Sequence, residues 1–159
     1  MTSDDYINIF KESGALLEGH FILTSGRHSS SYFQCAKVLQ YPKYLQMFSG
    51  KIANHFQNIE LDLVVSPAVG GIVIGTEVGR AMNKRTIFAE RENGSMRFRR
   101  GFDINNNDKV LIVEDVITTG GSVKEVIQLV ESHGGKVEGV GVIVDRRSGS
   151  VVRHQNQLS

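Results

Sequence analysis

The stretch VLIVEDVITTGGS, residues 110–122, joins an apolar strand to a helix through a turn of hydroxyls and glycines. Its strand, predicted over 109–116, is rich in β-branched residues on both faces, which is typical of a central parallel strand. Two carboxylates, Glu114 and Asp115, stand at its carboxyl end, where ligands of open α/β sheets bind. The turn that follows offers hydroxyl donors, glycines that let backbone N–H groups approach an anion, and the positive end of a helix dipole. The stretch therefore predicts a phosphate-binding site beside two carboxylates.

The carboxylate pair restricts the kind of phosphate ligand, because like charges repel. A ribose phosphate suits such a site, since its vicinal hydroxyls donate to the carboxylates while its phosphate accepts from the N–H groups. The same carboxylates attract a magnesium ion through water. The chain has neither a Walker A loop nor a G-x-G-x-x-G fingerprint after a strand. The alternative interpretation is an acidic helix-capping turn that binds no ligand.

Strand and helix patterns alternate on both sides of this stretch. This alternation predicts right-handed crossovers and a parallel sheet covered by helices on both faces, so the predicted fold class is α/β. The apolar runs and the helical periods place the predicted strands at 61–66, 85–90 and 137–145 and the predicted helices at 43–57, 71–83 and 122–133.

The N-terminal part has a different character. We predict a helix over 3–14 with Ser3 as its N-cap, followed by two short extended segments, 20–23 and 31–34, around a turn at Ser25-Gly26. The whole chain, 1–159, is predicted to be a single domain. Its parts are an N-terminal segment 1–35, an α/β core 36–147 and a polar tail 148–159.

The segment RENGSMRFRRGFDINNND, residues 91–108, follows neither the helical nor the strand period. A bare loop of this length inside a compact domain is uncommon and often functional. Two interpretations are open: a surface hairpin with solvated charges, or a mobile functional arm. The second is favoured, since Arg97, Arg99 and Arg100 repel one another until an anion such as a diphosphate binds.

Composition limits the classes of function. The chain has 159 residues, 40% of them apolar, and a formal net charge of +1, which argues against a dedicated nucleic-acid protein although 97–100 reads RFRR. No apolar run approaches the roughly 20 residues of a membrane span, and the N-terminus lacks a signal-peptide pattern. The lone Cys35 is predicted to be a small core residue. We expect a soluble cytoplasmic protein that binds neither nucleic acid nor membrane.

The motif at 110–122 resembles the phosphoribosyl diphosphate (PRPP) signature of the type I phosphoribosyltransferases. Within that family the chain is similar to the orotate phosphoribosyltransferases of the short bacterial and archaeal form. GALLEGHFILTSGRHSSSYFQ (14–34) resembles their N-terminal hood, and SPAVGG (66–71) resembles their pyrophosphate loop. AERENGSMRFRRG (89–101) resembles their catalytic arm, and VGVIVDR (140–146) resembles a strand that ends in an arginine near the base. The resemblance covers residues 5 to about 147.

The resemblance implies roles for individual residues. The catalytic set would be Asp115, Glu114, Arg91 and Arg97, with the carboxylates holding the ribose hydroxyls and Mg²⁺, which the substrate itself mainly carries. The orotate site would comprise Thr118, Arg146, Tyr32 and Phe33, with Arg146 on the orotate carboxylate. PRPP would be bound by the carboxylates, the 5-phosphate turn, the pyrophosphate loop and the arm: Glu114, Asp115, Val116, Ile117, Thr118, Thr119, Gly120, Gly121, Ser122, Gly70, Gly71 and Arg91.

The resemblance also implies an activity and an assembly. The fold would have a mainly parallel central sheet flanked by helices, a small hood and a flexible arm. The reaction would convert orotate and PRPP to orotidine 5′-monophosphate and pyrophosphate in UMP biosynthesis, with Mg²⁺ as the cofactor. The protein would be a homodimer whose subunits share the arm. Two alternatives remain open: a purine or uracil phosphoribosyltransferase, and a PRPP-binding regulator without turnover.

Overall fold

A computed structural model describes residues 1–22, 28–147 and, as backbone, 150–155. The elements in chain order are α1 (Ser3–Glu12), β1 (Leu16–Ile22), β2 (His28–Phe33), α2 (Cys35–Leu39), α3 (Pro42–His55), β3 (Leu63–Pro67), α4 (Gly71–Met82), β4 (Arg85–Glu92), β5 (Ser95–Phe98), β6 (Lys109–Ile117), α5 (Gly121–Ser132), β7 (Lys136–Asp145) and β8 (Ser150–Gln155). In the described part of the chain, no helix combines the length and the apolar character that crossing a membrane requires.

The central sheet has the strand order β5-β4-β3-β6-β7-β8. Strands β4, β3, β6 and β7 are parallel, while β5 and β8 pair antiparallel at the two edges. The predicted α/β class and mainly parallel sheet are therefore confirmed. Because β6 lies in the middle, its carboxyl end is flanked by the loops that follow β3 and β7.

Apolar residues on both faces of β6 explain its central place. Leu111 and Val113 belong to a core shared with helices α1 to α4, whereas Val110 and Ile112 belong to a second core shared with α5. All of these side chains are fully buried. The helices thus cover both faces of the sheet, as the strand composition predicts.

The N-terminal helix begins at Ser3 and ends at Glu12, two residues before the predicted end, and the predicted N-cap Ser3 is wrong. Thr2 is the cap: its hydroxyl accepts from the Asp5 N–H at 3.3 Å, and the Asp5 carboxylate accepts from the Thr2 N–H at 2.6 Å. This reciprocal arrangement satisfies two donors that a helix start otherwise leaves free.

The segment after β4 is a hairpin rather than a bare loop. Strand β4 runs to Glu92, and β5 returns beside it across a turn at Asn93 and Gly94, whose φ angles of 50° and 82° suit a tight hairpin. Met96 is 9% exposed and packs into the second core. Of the two interpretations of 91–108, the hairpin therefore describes 91–98, although the segment showed no strand period in the sequence.

Two further segments differ from expectation. Residues 150–155, assigned to a polar tail, form the edge strand β8 against β7. In the N-terminal segment, β1 and β2 pair antiparallel as a two-stranded sheet, and both are longer than the predicted extended segments. The predicted turn at Ser25-Gly26 lies outside the described residues.

Candidate functional site

The two carboxylates lie at the carboxyl end of β6. The Asp115 N–H donates to Glu114 Oε1 at 3.0 Å, and the Val116 N–H donates to Asp115 Oδ1 at 2.8 Å. Glu114 is only 7% exposed. Its burial raises the pKa of the Glu114 carboxyl well above its usual range, and the adjacent Asp115 raises it further. The pair therefore favours the uptake of a proton or a cation.

The loop between β3 and α4 packs directly against these carboxylates. A Cβ on Gly70 would lie 2.6 Å from Asp115 Oδ2, and a Cβ on Gly71 would lie 3.2 Å from Glu114 Oε1. Only a residue without a side chain permits this approach while Asp115 stays where it is. The predicted pyrophosphate loop and the predicted ribose carboxylates thus form one continuous surface.

The turn after β6 leads into α5. Gly120 adopts the left-handed conformation with φ 86°, its carbonyl accepts from the Lys124 N–H at 3.0 Å, and α5 begins at Gly121. The Gly121 N–H donates weakly to Thr119 Oγ1 at 3.4 Å. Thr118, Thr119, Gly121 and Ser122 are all exposed. Free N–H groups and hydroxyls at a helix start form a site suited to a phosphate.

The arginine after β7 joins the hood to this edge of the sheet. The Arg146 N–H donates to the Ile117 carbonyl at 2.9 Å, and its guanidinium donates to the hydroxyls of Ser29 and Ser31 on β2. Its Cζ lies 5.7 Å from the centre of the Phe33 ring. The structure therefore brings Arg146 and Phe33 together.

Tyr32 does not join that group. It lies on the opposite face of β2 from Ser29, Ser31 and Phe33, because neighbouring residues of a strand point to opposite sides. Its ring packs against Phe21 at 5.9 Å between centroids. Tyr32 and Phe33, both expected at the orotate site, therefore lie on opposite faces of β2.

A cleft of about 510 Å³ opens beside Asp115. The loop between β3 and α4 forms one wall, and α2 with its two cap residues forms the other. The lining residues are Gln34, Ala36, Leu39, Gln40, Val69, Gly70, Val73 and Asp115. The contribution of α2 was missed by sequence reasoning, since a helix of five residues has no measurable period.

The arginines of the arm are paired with glutamates. Arg100 forms a bidentate pair with Glu90 at 2.8 and 2.9 Å, and Arg97 and Arg99 lie 3.9 and 3.8 Å from Glu92. The expected mutual repulsion is therefore offset within the hairpin. The structure also separates this arm from the carboxylates, because β5 lies three strand spacings, about 14 Å, from β6.

Arg91 has its own partner. Its guanidinium forms a bidentate pair with Glu125 of α5, at 3.0 and 3.1 Å, and also donates to the Gly94 carbonyl. It thus joins the hairpin to α5, the helix that starts after the turn at 118–120. In this arrangement, both terminal nitrogens of the Arg91 guanidinium donate to oxygens of the protein.

Three further residues have clear surroundings. Cys35 is 1% exposed, and burial raises the pKa of its thiol well above the usual value, which agrees with a core residue.

On the hood, His28 Nδ1 lies 2.9 Å from His20 Nε2. Both histidines are exposed, and they flank residues 23–27.

Arg147 was missed by sequence reasoning. It forms a bidentate pair with Asp145, which is fully buried at the end of β7, at 3.0 and 2.8 Å. A Cβ on Gly120 would lie 3.4 Å from Arg147 Nη1. The Asp-Arg-Arg sequence at the end of a buried strand was the available signal, because a buried carboxylate calls for a cationic partner.

Comparison with known proteins shows the family to which the chain belongs. Residues 36–157 match the model of the phosphoribosyl transferase domain. The chain is 58% identical over 159 residues to the orotate phosphoribosyltransferase of Chlorobaculum parvum, covering 100% of this chain and 82% of the relative. It is 53% identical over 151 residues to that of Caldicellulosiruptor bescii, covering 95% and 80%.

Solved structures show the same fold. The orotate phosphoribosyltransferase of Aeropyrum pernix superposes with a TM-score of 0.74 at 26% identity, covering 91% of this chain and 83% of that one. An adenine phosphoribosyltransferase of Rhodothermus marinus superposes with a TM-score of 0.72 at 20% identity, covering 91% and 89%, and shares the fold alone. Because the family model spans most of the chain and relatives above half identity carry one name, the chain belongs to the orotate phosphoribosyltransferases of the phosphoribosyltransferase family.

Proposed function

We propose that the chain transfers the 5-phosphoribosyl group from PRPP to orotate, giving orotidine 5′-monophosphate and pyrophosphate in UMP biosynthesis. The observation that carries this proposal is the contact between the carboxylate pair and the glycine loop. Asp115 and Glu114 lie against Gly70 and Gly71, next to a helix that begins with exposed N–H groups and hydroxyls. A molecule with a phosphate, a diol and a diphosphate matches these surfaces in order.

The ribose diol would lie over the carboxylates. Asp115 Oδ1 accepts from the Val116 N–H, and this bond orients the carboxylate that would accept from a hydroxyl. The 5-phosphate would bind at Thr118, Thr119, Gly120, Gly121 and Ser122, with Val116 and Ile117 supporting the turn from β6. The diphosphate would then reach the backbone N–H groups of 69–71 at the start of α4. The Ala68 N–H is not available, because it donates to the Ala89 carbonyl at 2.7 Å.

Magnesium fits this site only together with substrate. Within 1–22, 28–147 and the other described residues, no cluster of three or more His, Cys, Asp or Glu side chains could hold a metal ion. Glu114 and Asp115 would supply oxygen ligands, directly or through water, and the substrate would supply the rest. When bound, Mg²⁺ would neutralise charge on the departing pyrophosphate. Burial disfavours the charged form of the Glu114 carboxyl and raises its pKa. A bound cation would compensate for that cost by neutralising the charge.

Orotate recognition would rest on Arg146. Its present partners are hydroxyls, and among the described residues it has no carboxylate partner. A ligand carboxylate matches a guanidinium in a bidentate fork, whereas uracil and purine bases carry no such group. Phe33 would pack beside the base, and Thr118 would meet it from the phosphate turn.

The arm would complete the site of a neighbouring subunit. Arg97 cannot reach the carboxylates of its own chain across about 14 Å of sheet, because an arginine side chain spans only about half of that distance. A homodimer that shares its arms removes this difficulty. The arm would close over the diphosphate, exchange Glu92 for an anion of higher charge, and exclude water from the ribose cation. Arg91 would help from the base of the hairpin.

One assay separates this proposal from its alternatives. PRPP consumption is measured with orotate, uracil and hypoxanthine in parallel, each with and without Mg²⁺. We expect turnover with orotate and Mg²⁺ only. Turnover with uracil or hypoxanthine would assign the chain to another base, and PRPP binding without turnover on any base would indicate a regulator; either result overturns the proposal.

A further inference from the structure

Arg147 stands between a buried carboxylate and the phosphate turn. Three of its N–H groups are directed at Asp145: the backbone N–H, Nε and Nη2 all lie within 3.0 Å of its carboxylate oxygens. Nη1 takes no part in these bonds and lies beside Gly120. The side chain is 28% exposed, whereas Asp145 is fully buried.

We propose that Arg147 is a positioning residue for the 5-phosphate of PRPP, acting from behind Gly120 through its charge and its fixed guanidinium. This inference rests on the proposed function and adds a residue to it. The ion pair is oriented: its negative end is buried in the sheet, and its positive end faces the turn. An anion placed in the turn is therefore closer to the guanidinium than to Asp145.

This orientation matters because the rest of the turn is neutral. The residues from Thr118 to Ser122 contribute only N–H groups and hydroxyls, and the two acidic residues before them disfavour an anion. A fixed cation beside the turn offsets part of that repulsion. Arginine is suited to this task, since its planar fork keeps one edge on Asp145 while the other edge faces the turn.

A purely structural role for the pair predicts a different result. In that case, removal of both charges would change stability and leave phosphate affinity unaltered. The test therefore uses Arg147→Gln together with the double variant Asp145→Asn/Arg147→Gln, which leaves no buried charge without a partner. Arg147→Lys keeps the charge and loses the fork. Arg80→Gln, which breaks an exposed pair with Glu77 on α4, is the matched control.

Calorimetric titration of the full chain with PRPP, with ribose 5-phosphate and with Mg²⁺-pyrophosphate gives the readout. We expect Arg147→Gln and the double variant to bind PRPP and ribose 5-phosphate about tenfold more weakly, because each loses the cation beside the bound phosphate. Arg147→Lys should fall between these and the wild type. Pyrophosphate affinity should stay unchanged in all of them, and KM for PRPP should rise while KM for orotate does not.

The outcomes distinguish this inference from the function on which it rests. A double variant that binds PRPP and ribose 5-phosphate as tightly as the wild type overturns the role of Arg147 and leaves the proposed function standing. An equal loss of affinity for Mg²⁺-pyrophosphate also overturns it, because the effect would then not be specific to the 5-phosphate. A wild-type chain that binds neither sugar phosphate overturns the proposed function itself.

Discussion

Replacement of Glu114 by glutamine should stabilise the free protein and inactivate the enzyme. Glu114 is 7% exposed, and burial raises the pKa of its carboxyl, so the fold favours the neutral form. Glutamine reproduces that neutral form: its carbonyl can accept from the Asp115 N–H, now bound at 3.0 Å, and its amide can donate to the Asp115 carboxylate.

The size of the stabilisation follows from linkage. Each unit by which the fold raises a carboxyl pKa costs about 1.36 kcal/mol of folding free energy once the group is charged. A change of 1 kcal/mol moves Tm by roughly 2–4 °C in a domain of this size. The neutral Glu114 contributes stability that is present below the ordinary carboxyl pKa and is lost as pH rises through its raised pKa. Glutamine does not titrate, so its advantage in Tm should be absent near pH 4 and grow with pH.

Thermal unfolding of Glu114→Gln between about pH 4 and 8 tests this sign, with turnover measured on the same samples. Activity should fall about 10²–10³-fold, as when a group that acts on developing charge is lost. Glu131→Gln, at an exposed position on α5, is the control and should change neither quantity appreciably. A Glu114→Gln protein that is less stable than the wild type at pH 8, or that keeps full activity, would refute the reasoning.

Three further predictions concern the turn, the base and the arm. Gly120→Ala and Gly14→Ala, both at left-handed positions, should each lose about 1–2 kcal/mol of stability, but only Gly120→Ala should raise KM for PRPP; an equal KM in both would contradict the phosphate turn. Arg146→Gln should raise KM for orotate about 10- to 100-fold, and an unchanged KM would remove Arg146 from the base site. Inactive Arg97→Ala mixed with inactive Asp115→Asn should regain turnover in mixed dimers; exchanged subunits without recovered activity would rule out the shared arm.

The α/β core could be predicted from sequence because local patterns decide it. Val110 and Ile112 face one helical layer while Leu111 and Val113 face the other, so β6 is apolar on both sides and must lie inside the sheet. The turn at 118–122 follows from the same logic, since a helix start after a central strand places its N–H groups at the carboxyl edge. The strand β6 and the turn after it are thus determined by residues that lie close together in the sequence.

The parts that sequence reasoning missed depend on contacts between distant segments. The hairpin formed by β4 and β5 is held by Met96, which packs in the second core, and by the ion pair of Arg91 with Glu125. Neither contact produces a periodic pattern in the sequence. The face on which Tyr32 lies is set by the docking of β2 against Arg146. The Asn-Gly turn is a usable signal for the hairpin, but the arginines around it favour the interpretation as a mobile arm over that of a surface hairpin.

The measurement that tests the central claim most directly is kcat/KM for PRPP in Asp115→Asn, compared with the wild type in the presence of orotate and Mg²⁺. The substitution is nearly isosteric, and an amide oxygen can still accept from the Val116 N–H, so the fold should survive and Tm should not fall. An amide is a poor substitute for a carboxylate that accepts from ribose hydroxyls and attracts Mg²⁺. We predict that kcat/KM falls at least about 10²-fold. A folded Asp115→Asn protein with the wild-type kcat/KM would contradict the assignment of the carboxylate pair as the PRPP site.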